Sequence, residues 1–235
     1  MTLTSTLMLG FLLGLRHALD ADHVAAVATL ATGTRSLGRT VAQGVAWGMG
    51  HTLTLMLFGG AVLVAGAVVP EQAARWLEMA VGVMLVGLGA DALRRLRRER
   101  IHFHAHRHAD SIAHFHAHSH RGEAAPHDPK RHEHAHPPGF PARALIVGMV
   151  HGMAGSAALV LLSLEALRSP AWGLVTIAIF GLGSILGMAL LSVAIAVPLR
   201  LTSRRLGWAY RGLAGTVGVA TVMLGGWIVL RVGLA

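Results

Sequence analysis

Gly14-Leu15-Arg16-His17-Ala18-Leu19-Asp20-Ala21-Asp22-His23 decides how the rest of the chain is read. Five ionisable side chains fall within eight residues, between two otherwise apolar runs, Leu3–Leu15 and Val24–Ala31. A charge at membrane depth costs at least about 2.5–3.5 kcal/mol on insertion scales, so such a cluster marks a functional site by default. Two imidazoles and two carboxylates offer nitrogen and oxygen donors, a set that suits a borderline divalent transition metal.

The surrounding composition supplies the membrane. Of 235 residues, 54% are hydrophobic and only 13% charged, and the apolar residues gather in long runs. The expected fold class is therefore all-α, a polytopic protein embedded in the lipid bilayer. The net charge of +9 comes from basic residues beside the spans, which is a topology signal and not a nucleic-acid surface. The absence of cysteine removes disulfides, thiolate zinc sites and thiolate copper chemistry. The first fifteen residues lack the basic region of a cleaved signal peptide, so the first apolar run is expected to stay as a span.

Hydropathy places six transmembrane helices at 4–31, 41–69, 72–93, 142–167, 172–198 and 209–234. Pro70, Pro170 and Pro198 fall at or near span ends, where breakers are expected. The first span is too long for a hydrocarbon core of about 30 Å; it must tilt, overhang or break, and the polar motif is the place to break. Arg35 and Arg39, ten basic residues from Arg94 to Arg143, and Arg200, Arg204, Arg205 and Arg211 lie in the odd loops. The even loops hold only Arg75 and Arg168, which puts the odd loops in the cytoplasm and both termini outside.

The two halves read as copies. Gly14-Leu15-Arg16-His17 aligns with Gly148-Met149-Val150-His151, Gly48-Met49-Gly50-His51 with Gly181-Leu182-Gly183-Ser184, and Val81-Gly82-Val83 with Val217-Gly218-Val219. Three spans per copy inverts the second in the membrane, a pattern of secondary transporters with a midplane site. The expected organisation is a first three-helix repeat at 1–93, a cytoplasmic loop at 94–141 and an inverted repeat at 142–235. Under this alignment Ser156 takes the place of Asp22, and Ser184 that of His51.

The loop is a different material. Residues 102–136 hold twelve of the sixteen histidines, among them His102, His104, His106, His114, His116, His118, His132, His134 and His136. Low hydrophobicity and four prolines predict disorder. Alternating imidazoles can capture a divalent metal reversibly, with affinity falling as pH drops through about 6.5.

The other four histidines, His17, His23, His51 and His151, all fall inside predicted spans. Singly each reads as an interhelical hydrogen-bond partner; together they favour one shared polar site. On a continuous helix Arg16, His17, Asp20 and His23 share a face and Asp22 points away. Asp20 then reads as the i,i+4 salt-bridge partner of Arg16. For His17, Asp22 and His23 to meet one ion, the helix must unwind or face partners on two sides. Thr52 adds a hydroxyl beside His51, and Met149 and Met153 read as packing.

His17-(four residues)-Asp22-His23 resembles the His-X4-Asp-His signature of the nickel/cobalt transporter family, and Gly50-His51-Thr52 resembles that family's Gly-His-Ser/Thr element. Full-length members carry the motif in the second of eight spans, and their later Gly-Phe-Asp-Thr-Ala-Thr-Glu element is missing here. The segment Val150-His151-Gly152-Met153-Ala154-Gly155-Ser156 instead resembles the short, UreH-like branch of urease-accessory nickel permeases. In the related efflux proteins glycine replaces the aspartate before the second histidine, so Asp22 implies uptake. The histidine-rich loop, which those efflux proteins share, pulls the other way.

The resemblance implies a secondary permease for Ni²⁺, with Co²⁺ as second substrate, in the cytoplasmic membrane. His17, Asp22, His23, His51 and His151 would be ligands, with Arg16, Asp20, Thr52 and Ser156 in support. No prosthetic group is expected, the metal being cargo, and a cytoplasmic metallochaperone is a compatible partner. Gly-x4-Gly-Lys-Ser/Thr is absent from the sequence, so nucleotide hydrolysis is not expected. Rival readings are efflux of the same metals, a membrane haem protein using pairs such as His17 and His51, and a di-iron enzyme, for which His-Glu-x-x-His is lacking.

Overall fold

The computed structural model describes residues 3–34, 36–65, 69–98, 101–107, 113–119, 141–154, 169–205 and 207–234. Its helices are α1 (Leu3–His17), α2 (Ala21–Ala31), α3 (Leu37–Thr54), α4 (Gly60–Ala65), α5 (Glu71–Arg98), α6 (Ala142–Met153), α7 (Pro170–Arg205) and α8 (Gly207–Leu234). A π-helical turn, Leu55–Gly59, joins α3 to α4 into one rod, Leu37–Ala65. That rod, α5, Ala171–Leu201 of α7 and Trp208–Leu234 of α8 are long and apolar enough to cross a membrane. They coincide with the second, third, fifth and sixth expected spans. The fourth begins as α6, and residues 155–168, Ser156 among them, lie outside the described residues.

The first expected span is broken. Beyond His17 the chain tightens into a turn, with Leu19 N donating to the Arg16 carbonyl at 2.8 Å and Asp20 N to that of His17 at 3.1 Å. Asp20 is extended (φ −63°, ψ 147°) and opens α2, but its carboxylate caps no backbone N–H of that helix. Other starts are capped conventionally. Ser36 accepts from Arg39 N ahead of α3, and Ser169 from Trp172 N ahead of α7, where Pro170 suits a first helical position. Pro198 does not end α7, which runs through it to Arg205. A proline deprives the carbonyl four residues back of one bond, and packed membrane helices tolerate that loss.

Glycines set the packing. α1 lies along α7, α3 between α6 and α7, and α5 along α8. A Cβ on Gly14 would strike the Phe180 carbonyl, and one on Gly148 the Trp47 carbonyl. Gly183 abuts Phe11 and Leu15 as Gly50 abuts Leu145 and Met149, and Gly82 meets Gly225 as Gly218 meets Gly89. The inner core includes Ala26, Trp47, Leu85, Met188 and Ile228. Leu57, Val64, Met223 and Leu230 are exposed on outer faces, as a lipid environment requires.

Within the loop, the expectation of disorder meets a difference. β1 (Ile101–Arg107) and β2 (Ala113–Ser119) pair antiparallel, with His102 opposite His118, His104 opposite His116 and His106 opposite His114. Strict alternation of residue types in these two segments has the period of a strand. His132, His134 and His136 lie outside the described residues. Asp91 accepts from Arg143 Nη2 at 2.6 Å and pairs with Arg95 at 3.1 Å, tying the start of α6 to the end of α5 on either side of the loop.

Candidate metal centre

The break between α1 and α2 does what a continuous helix could not. It leaves His17 as the last residue of α1 and puts Asp22 and His23 in the first turn of α2. α3 brings His51 and the last turn of α6 brings His151. His23, His51 and His151 are buried. The ring centroids of His23 lie 4.4 Å from His17, 5.3 Å from His51 and 4.2 Å from His151. The four imidazoles form one cluster.

Two carboxylates orient it. His17 Nδ1 donates to Asp20 Oδ2 at 2.7 Å. Asp22 Oδ1 accepts from the backbone N–H of His23 at 3.0 Å and lies 3.1 Å from its Nδ1, while Oδ2 lies 3.2 Å from His151 Nε2. A carboxylate on one ring nitrogen fixes the tautomer and leaves the other as a lone-pair donor. Nε2 of His17, Nε2 of His23, both nitrogens of His51 and Nδ1 of His151 are buried without a hydrogen-bond partner. Two overlapping trios have ligand atoms within 4.8 Å of one another: His17, His23 and His51, and Asp22, His23 and His151.

The supporting residues depart from expectation. Arg16 is exposed and, among the described residues, has no carboxylate partner; Asp20 pairs with His17 instead. An i,i+4 bridge needs an unbroken helix, and this one stops between the two residues. The Thr52 hydroxyl donates to the Gly181 carbonyl at 3.3 Å, joining α3 to α7. Trp47, unremarked in the sequence, stacks on His23 with centroids 5.4 Å apart and walls the cluster edge-on to His151. Its only signal was position, one turn before His51 on the same face of α3.

Such a nest of nitrogen donors inside apolar helices could hold a divalent transition-metal ion. The sequence pattern of NicO, described as high-affinity nickel-transport protein, matches residues 3–234. The chain belongs to the NicO family. It is also similar to the urease accessory protein UreH of Bacillus sp. (strain TB-90), with 35% identity over 207 residues, covering 87% of this chain and 82% of that protein. No solved structure matches it. As a NicO member it is a multi-pass membrane protein of nickel transport, not an enzyme, and the haem and di-iron readings give way to that assignment.

Proposed function

We propose that this NicO chain is a permease that admits Ni²⁺, and Co²⁺ as a second cargo, through the cytoplasmic membrane. Its ion site is His17, Asp22, His23, His51 and His151. The observation that carries the reading is the gathering of four imidazoles from four helices, each with a buried, unpartnered nitrogen. Leaving those nitrogens desolvated and unpaired is costly unless a ligand takes them. Nitrogen and oxygen ligation suits Ni²⁺, and selectivity against copper must come from geometry because copper would win on affinity.

Six spans in two inverted repeats, 1–93 and 142–235, frame the site, with both termini outside and the loop 94–141 in the cytoplasm. The reciprocal glycine contacts support the repeat, since each pair becomes the other under the 133–136-residue offset of the two halves. α1 and α6 then hold equivalent places, with His17 and His151 in their last turns. Membrane potential is a sufficient drive, because a dication gains about 4.6 kcal/mol per 100 mV.

Export is the second reading, favoured by the register that sets three histidine pairs opposite one another in β1 and β2. In that reading the loop collects metal from the cytoplasm. Accumulation of radioactive nickel in cells expressing wild type or Asp22→Asn, with and without excess cobalt, decides between them. Accumulation that Asp22→Asn removes and cobalt suppresses is expected. Levels below the empty-vector control would establish export, and wild-type accumulation in Asp22→Asn would overturn the site.

A further inference from the structure

Resting on the metal-site reading above, we infer that Ser184 supplies an oxygen ligand from the second half of the chain to an ion held by His17, His23 and His51. Ser184 is fully buried and its hydroxyl has no hydrogen-bond partner. Helical hydroxyls in this protein ordinarily bond back to the carbonyl four residues earlier, as Thr54, Thr176, Thr216 and Thr221 do. Ser184 forgoes that bond, leaving its oxygen free.

The packing of α7 says where that oxygen faces. Gly183 and Gly187 press against Phe11 and Leu15 of α1 and Ala18 just beyond it, whereas Gly181, Ile185 and Ser192 press against Thr52, Gly48 and Gly44 of α3. At 100° per residue Ser184 lies between these two lines, about 80° from the middle of each. It therefore faces the seam between α1 and α3.

The level matches too. Along the parallel helices α1 and α7, Gly10 lies beside Thr176, Gly14 beside Ser184 and Ala18 beside Gly187. Along α3 the order reverses, with Thr52 beside Gly181 and Gly48 beside Ile185, so His51 stands within one turn of Ser184. Helical side chains lean toward their N-terminus, which brings the His17 ring back to this level, 5.3 Å from Phe180 one turn before Ser184. Ser192 also lacks a hydroxyl partner, but it packs on Gly44, two turns of α3 away from His51. His17, His23 and His51 form one of the two ligand trios, and Ser184 occupies the place of His51 in the sequence alignment of the halves.

The chain contains no cysteine, so Ser184→Cys introduces a single thiol. Purified full-length protein in detergent is titrated with Co²⁺ and followed by absorption. The cobalt complex of Ser184→Cys is expected to show a thiolate-to-metal charge-transfer band in the near ultraviolet that wild type lacks. Cobalt bound to Ser184→Cys without that band would overturn the inference. If Ser184→Cys does not insert or binds no cobalt, Ser184→Ala decides: about tenfold weaker cobalt binding, a 1.4 kcal/mol loss, supports the ligand, and wild-type affinity overturns it. Wild-type protein that binds no cobalt at all would count against the histidine site itself.

Discussion

His17 and Asp20 face each other across the break in the first span, the imidazole Nδ1 donating to the carboxylate at 2.7 Å. One bond serves two ends. It holds the turn that separates α1 from α2, and it leaves His17 Nε2 as the free donor. An aspartate at a helix start normally caps backbone N–H groups. This one is spent on the histidine.

Replacing Asp20 by Ala should therefore weaken nickel binding about 10–100-fold, the usual cost of losing a carboxylate behind a metal-bound histidine. Arg16→Ala should leave affinity unchanged, because Arg16 is exposed and makes no bridge to Asp20. Calorimetric titration of the purified protein checks both.

Thr52→Val separates packing from ligation. Its hydroxyl bonds to the Gly181 carbonyl, so the change should cost about 0.5–1.5 kcal/mol of stability while nickel affinity stays within about twofold of wild type. His51→Ala should do the reverse, removing binding and transport. Thermal unfolding in detergent beside a binding titration distinguishes the two.

Gly14→Ala and Gly148→Ala should each destabilise by about 1–3 kcal/mol or more, since the new Cβ would strike the backbone of α7 or α3. Gly38→Ala and Gly226→Ala meet nothing within 4 Å and should be tolerated. Yield of folded protein from membranes reads the difference. Equal sensitivity at Gly14 and Gly148 is a further requirement of the repeat.

The loop should answer to pH. Replacing His102, His104, His106, His114, His116, His118, His132, His134 and His136 by Ala should lower the nickel bound per chain at about pH 7.5 and leave transport by the buried site intact. Protons compete with metal for imidazole, so binding is strongest above the ordinary histidine pKa of about 6.5 and is lost as pH falls below it. Wild type and variant should therefore converge near pH 5.5, measured by equilibrium dialysis.

What was legible in the sequence, and what was not, divides by the range of the physics. Hydropathy placed the apolar rods because the bilayer acts on each segment separately, and ionisable residues amid Leu3–Leu15 and Val24–Ala31 announced a site because burying them is costly wherever the chain goes. Even the break was legible, since a span that long with charges inside it has few alternatives. Partner choice was not. The helical wheel assigned Asp20 to Arg16 by assuming continuity, and only the turn after His17 gave it to His17. The sequence could not say that Thr52 meets Gly181, that Trp47 roofs His23, or that the Ser184 hydroxyl stays free. Those facts depend on which glycine lets which backbone approach, and contacts between residues on different helices are decided only when the helices pack.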